Sequence, residues 1–201
     1  MKELLVATKN EGKLNQMREF LAEVPLVVRS LAEFEIDDGD FAEDGLTFAE
    51  NAFKKADYYG RKLGEGLVVA EDSGIFVEAL PGELGVFTRR WGAGAAASDE
   101  EWMAVFMERM AGVEDRRARF VANVCLWIDG EAYHFEKENH GVITAEVDYP
   151  LEPGIPLSSC FLPNGHQKVY ARFSPEERLK ISHRGQAMAE AREFIKLKVK
   201  S

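Results

Sequence analysis

Asp129-Gly130 is the feature of this sequence that most limits what the chain can fold into. An Asp-Gly pair between two apolar runs is a strong signal for a two-residue hairpin, whose turn requires positive φ at both central positions. The flanking runs, residues 119–128 and 131–135, therefore read as antiparallel strands. The start of the chain has a different pattern. Residues 4–7 are a short apolar run and residues 8–13 a polar turn; Leu14, Met17, Phe20 and Leu21 then recur at helical spacing. Residues 26–28 offer a second strand. A longer helix is expected from Thr47, where Thr47 and Glu50 form a T-x-x-E capping box, to Leu63, with Gly64 as its stop. Residues 67–70 read as a buried strand ending in Glu71-Asp72-Ser73-Gly74, and residues 75–80 as a further extended stretch. Ser98 and Glu101 make another capping box before a helix reaching Met110. Residues 142–147 read as a strand and residues 149–165 as a Pro-, Gly- and Ser-rich loop. Ser174-Pro175-Glu176-Glu177 starts a short helix, and a charged helix follows Ser182. The sum is a mixed α/β chain with a prominent antiparallel part, not the regular alternation of a doubly wound sheet.

Size and charge narrow the function. A chain of 201 residues suits one large domain or two closely fused lobes. Its 46% hydrophobic and 30% charged residues place it in the soluble globular class. The net charge of -10 argues against broad nucleic-acid binding, which draws its affinity from Lys and Arg contacts to phosphates. It leaves room for a small anionic substrate in a locally basic cleft. Cys125 and Cys160 form no C-x-x-C pair, so neither a zinc site nor a disulfide framework is suggested. No apolar run is long enough to span a membrane and the start is too short for a signal peptide, so a cytoplasmic protein is expected.

Four groups of residues carry possible chemistry. Thr8-Lys9-Asn10-Glu11-Gly12-Lys13 lies at a strand-to-helix turn, where free amides and the helix dipole favour phosphate and Lys13 adds a full charge. It is not a Walker loop, and an ordinary helix start capped by Asn10 is the plain alternative. Glu43 and Glu71-Asp72 could hold Mg²⁺ or take a proton from water; a solvated acidic loop is the alternative. Lys55, on the Thr47 helix, is either surface or a phosphate ligand, depending on its neighbours. Ser182-His183-Arg184, preceded by Arg178 and Lys180, could hold a triphosphate and hydrogen-bond a purine oxygen, or could simply begin a helix.

Taken together, these pieces match one pattern in order and spacing. Thr8/Asn10/Lys13, Glu43-Asp44-Gly45-Leu46-Thr47-Phe48-Ala49-Glu50-Asn51-Ala52 with Lys55-Ala56, Glu71-Asp72-Ser73-Gly74, Gly85-Val86-Phe87-Thr88-Arg89-Arg90 and Ser182-His183-Arg184 resemble the motifs of the inosine/xanthosine triphosphate pyrophosphatase family over nearly the whole chain. The resemblance implies an α/β fold with an elongated mixed sheet, flanking helices and two lobes around a central nucleotide cleft. It implies one unit over residues 1–201, a homodimer, and Mg²⁺-dependent hydrolysis of ITP, dITP and XTP to monophosphate and pyrophosphate. Carried over by position, Asp72 is the catalytic base and a metal ligand, with Glu43 and Glu71 as the further metal carboxylates. Thr8, Asn10, Lys13, Lys55 and Arg178 hold phosphates, while Ser73, His183 and Arg184 line the nucleotide site.

The pattern breaks at one loop. Where the family reads G-F-G-Y-D-P-x-F, this chain has Gly154-Ile155-Pro156-Leu157-Ser158-Ser159-Cys160-Phe161. Ile155 and Leu157 replace two aromatics and Ser158 replaces the acid, so the base loses a π-face and a carboxylate partner for its ring N–H. Arg178 stands for the family's lysine, and Leu84 and Arg89 for a proline and an alanine. Retuned base selection therefore stands beside the parent activity as an alternative; nucleotide binding without turnover is a third reading, which the retained Glu43, Asp72 and Lys13 count against.

Overall fold

The computed structural model describes residues 2–36, 41–64, 66–94 and 96–199. In chain order the elements are β1 (Glu3–Val6), α1 (Glu11–Leu21), β2 (Val27–Ser30), α2 (Phe48–Leu63), β3 (Leu67–Val77), α3 (Asp99–Arg109), β4 (Arg117–Ile128), β5 (Glu131–Ile143), β6 (Phe161–Pro163), α4 (Pro175–Ile181) and α5 (His183–Val199). Short 3₁₀ turns occupy Gly85–Arg90, Pro156–Ser159 and Tyr170–Arg172. The strands form one mixed sheet in the order β2-β1-β3-β4-β5-β6, parallel across β2-β1-β3 and antiparallel from β3 to β6.

The hairpin forms as its turn chemistry demands: Asp129 and Gly130 have φ of 49° and 93°, and Ile128 pairs with Glu131. The second strand is longer than expected. β5 runs unbroken to Ile143, because the ladder with β4 carries Glu136–His140, which are too polar to read as a strand by themselves. The strand expected over residues 142–147 is therefore the end of β5. The chain turns away after Ile143, where the Arg116 guanidinium donates to the carbonyls of Ile143 and Thr144. The stretch expected as loop, residues 149–165, contains the 3₁₀ turn at Pro156–Ser159 and the edge strand β6.

The helix caps follow the sequence with one variation. Ser98 and Ser174 make complete capping boxes with Glu101 and Glu177. At α2, Thr47 accepts from the Glu50 amide, but the Glu50 carboxylate accepts from Leu46 N at 2.7 Å.

Side chains on successive residues of a strand point to opposite faces. Leu67 and Val69 of β3 pack with α1 and α5 through Met17, Phe20, Met188 and Ile195. Val68 and Ala70 pack with α2 through Ala52, Ala56 and Tyr59. A third apolar cluster joins Ile75 and Val77 to Trp102, Met103 and Phe106 of α3.

The unequal strand lengths position the site. β3 pairs with β1 only through Leu67–Val69, yet pairs with β4 along its whole length. Among the described residues, the β1-side edge of β3 therefore has no strand partner from Ala70 onward. Glu71-Asp72-Ser73-Gly74, expected as the end of a strand, lies in the middle of this one, and its open edge faces a cleft.

Candidate active site

The exposed edge is satisfied by side chains rather than by another strand. Lys55 Nζ, from α2, donates to the Glu71 carbonyl at 3.3 Å. Thr88 Oγ1 accepts from Ile75 N at 3.1 Å and donates to Gly85 O at 2.6 Å. This close approach needs Gly74, since a Cβ there would sit 2.3 Å from the Gly85 carbonyl oxygen.

Strand alternation separates the two acids of the motif. Asp72 turns toward α2, where Asn51 Nδ2 donates to Oδ2 at 2.8 Å and Ser73 N to Oδ1 at 3.0 Å. Glu71 turns toward α1 and α5, fully buried, with Lys13 Nζ at 2.8 Å and Arg184 Nε at 3.2 Å. Arg184 also donates to Ser73 Oγ at 3.0 Å and to Gln16 Oε1. Burial alone would push the Glu71 carboxyl up, but Arg184 and Lys13 outweigh it and hold the group well below the usual carboxylate range. At Asp72 burial wins: its pKa is raised despite the opposing Lys13 and Lys55. Burial also pushes Glu43 up, yet its ion pair with Lys55 leaves its pKa lowered on balance.

The turn after β1 locks to the altered loop. Asn10 caps α1 by accepting from Lys13 N at 2.9 Å, and its Nδ2 donates to Gly154 O at 2.7 Å. Gly154 has φ of 76°, and a Cβ on it would meet Asn10 Oδ1 at 2.5 Å. Thr8 Oγ1 accepts from Asn10 N at 3.1 Å. Asn10 is thus a cap and a bolt. Arg178 is similarly engaged, donating from Nε to Phe173 O and from NH2 to Glu152 and Ala171 O.

Above this floor is a cavity of about 490 Å³. Thr8, Asn10, Lys13, Glu43, Lys55, Asp72, Ser73, Ile155, Leu157, Ser158, Arg178, His183 and Arg184 all line it; Glu71, beneath the floor, does not. His183 is buried and stacks on Phe120, ring centroids 4.6 Å apart and planes 4° from parallel. Both its ring nitrogens are buried and, among the described residues, have no hydrogen-bond partner. Burial, with Arg184 beside it, lowers its pKa well below the usual histidine value, so the ring is neutral. A buried polar group left unpaired costs roughly 1–3 kcal/mol, which a ligand can recover.

Phe120, Tyr170 and Trp102 also line the cleft. They return aromatic surface to a pocket whose loop has lost it, and nothing local marked them. Phe120 is one apolar residue among many in a strand, and Tyr170 lies outside the altered loop at residues 154–161. The role of Asn51 in holding Asp72 is likewise a tertiary fact.

The donors at the cleft suit a hard cation. Asp72 and Glu43 both line the cleft, Glu43 paired with Lys55, and Mg²⁺ is usually bound by one or two carboxylates plus substrate phosphates. Among the described residues, no group of three or more His, Cys, Asp or Glu side chains is arranged around a single point. Glu71 in particular is committed to Lys13 and Arg184 on the other face of the strand.

A cleft at the open edge of a mixed sheet, with buried carboxylates at its floor and lysines and arginines around them, defines an α/β protein equipped to receive a polyanion. The chain belongs to the Ham1 family, whose sequence profile matches residues 4–194. It is 36% identical over 199 residues to a dITP/XTP pyrophosphatase of Caldanaerobacter subterraneus subsp. tengcongensis, covering 97% of this chain and 96% of that one. It is 37% identical over 196 residues to a dITP/XTP pyrophosphatase of Syntrophobacter fumaroxidans, covering 95% and 81%. Among solved structures, the HAM1 protein of Coxiella burnetii superposes with a TM-score of 0.79 at 31% identity, covering 97% of this chain and 98% of that one. The Staphylococcus aureus Ham1 protein gives the same TM-score and identity, covering 98% and 100%. The mixed sheet with flanking helices is thus the architecture of the family. No described helix is long and apolar enough to cross a membrane.

Proposed function

We propose that this protein hydrolyses deaminated purine nucleoside triphosphates, ITP, dITP and XTP, to the monophosphate and pyrophosphate. Full-length similarity to proteins named dITP/XTP pyrophosphatases supports the reaction class. The observation that carries the chemistry is Asp72: a buried carboxylate of raised proton affinity, oriented by Asn51, at the floor of a cleft lined by Lys13, Lys55 and Arg184.

In this reading the lysines and Arg184 offset the charge of the triphosphate. Asp72 accepts the proton of the water that adds across the α–β anhydride, and pyrophosphate leaves with the bridging oxygen. Asp72 and Glu43 would also hold Mg²⁺, which neutralises charge on the phosphate oxygens when bound. Glu71 serves instead as the counter-charge that fixes Lys13 and Arg184. His183 offers its unpartnered nitrogens to the base, with Phe120 stacked behind it. A homodimer is proposed on the family resemblance alone, and a cytoplasmic location as the sequence suggests.

The test is product analysis with Mg²⁺ and ITP, dITP, XTP, GTP, ATP, CTP and UTP. The expected result is pyrophosphate and monophosphate from ITP and XTP well above GTP and ATP. Release of orthophosphate instead, or no product from any triphosphate, overturns the reading.

A further inference from the structure

A hydrogen-bond network through Glu152 joins two cleft-lining residues, Ser158 and Arg178. Ser158 lines the cleft and is 7% exposed. Its Oγ donates to Glu152 Oε2 at 2.6 Å, and Arg178 NH2 donates to Glu152 Oε1 at 2.7 Å. Arg178 is held in turn by the carbonyls of Phe173 and Ala171, both at 3.1 Å. A serine hydroxyl has one proton and two lone pairs, whereas a carboxylate can only accept. The Ser158 proton is therefore committed to Glu152, and all that the Ser158 hydroxyl can offer a ligand in the cleft is its lone pairs.

From this geometry we infer that Glu152 is a specificity-determining positioning residue. It makes Ser158 an obligate acceptor, which favours a 6-oxopurine, whose ring nitrogen beside the oxo group bears a proton, over a 6-aminopurine, whose corresponding nitrogen is bare. The inference rests on the proposed hydrolysis of purine triphosphates. A ring N–H of hypoxanthine or xanthine meets a lone pair; adenine sets lone pair against lone pair, and a mismatch of that kind discriminates more strongly than a missing methylene. Guanine shares the ring N–H, so the device sorts oxo from amino bases and leaves guanine to other contacts.

The network also dictates its own test. Arg178 can only donate. In Glu152→Gln the amide oxygen must turn to Arg178, so the amide NH₂ faces Ser158 Oγ. That N–H occupies a lone pair and releases the Ser158 proton to donate into the cleft, the polarity adenine requires. The expected result is that the ITP-to-ATP ratio of kcat/KM falls about ten- to hundredfold, mainly through KM, with a matching change in the ratio of dissociation constants measured by calorimetry. Ser158→Ala should lower the ratio by itself, and adding Glu152→Gln to it should change the ratio no further. A merely structural role for Glu152 would weaken ITP and ATP alike and leave both ratios at the wild-type value, which overturns the inference. Absence of turnover in the wild-type protein overturns the hydrolysis reading instead, and the calorimetric ratio then decides the inference by itself. If Glu152→Gln does not fold, an unmoved ratio in Ser158→Ala is sufficient to reject it.

Discussion

Replacing Glu71 with glutamine should destabilise the free protein severely, and the sign of the effect decides what Glu71 is for. The carboxylate is fully buried between Lys13 and Arg184, whose side chains are 16% and 8% exposed. The amide keeps the shape but carries no charge. Its single carbonyl oxygen can serve one cation, leaving its NH₂ directed at the other. Breaking a buried pair from one side costs about 3–5 kcal/mol, because the remaining charge is stranded. At about 2–4 °C per kcal/mol for a chain of this size, Tm should fall by roughly 6–20 °C. Thermal unfolding by circular dichroism, without nucleotide or metal, measures it. The pH dependence provides a second reading. Glu71's folded pKa is depressed, so its contribution to stability is complete above the unfolded value of about 4.3 and is lost as pH falls through the folded value. The glutamine variant should therefore lose less stability on acidification than the wild type does. A residue kept mainly as a third metal carboxylate beside Asp72 and Glu43 would behave in the opposite way, since removing one of three like charges relieves repulsion in the metal-free protein. A Tm equal to or above wild type would refute the anchor role.

Three further outcomes are expected. Asp72→Asn should lower kcat by orders of magnitude while ITP binding survives, and unchanged turnover would refute the base assignment; because burial raises the Asp72 pKa, the wild type should lose stability relative to this variant as pH rises through the folded value, read as Tm across pH. His183→Phe keeps a ring against Phe120 and removes two unpartnered nitrogens, so Tm should rise, by roughly 1–2 kcal/mol in stability, while calorimetry shows weaker ITP binding; lower stability with unaltered binding would count against a ligand-facing His183. Gly74→Ala places a Cβ 2.3 Å from Gly85 O, which must displace the 3₁₀ turn carrying Thr88, at a cost of about 1–3 kcal/mol and a marked loss of turnover; wild-type Tm and rate would show that the close approach is dispensable.

Much of this protein was legible in the order of its residues. The hairpin at Asp129-Gly130 and the boxes at Ser98 and Ser174 depend on side chains satisfying backbone groups only a few residues away, so local sequence was enough to place them. The residues singled out through the family resemblance all line the cleft except Glu71. What local sequence could not supply is register. Glu136–His140 extend β5 because β4 lies beside them, not because of their own character. Glu71 and Asp72 are neighbours in the chain and share one description as acids, yet the pleat sends one to Arg184 and the other to Asn51. Ile155, Leu157 and Ser158, in place of two aromatics and an acid, read in sequence as a retuned base pocket. Folding brings Phe120 and Tyr170 from other parts of the chain to the same cavity and seats Glu152 behind Ser158. The physical reason is common to all of these: caps and turns are closed by near neighbours in the chain, whereas the protonation, partner and direction of a buried group depend on whatever distant segments pack against it.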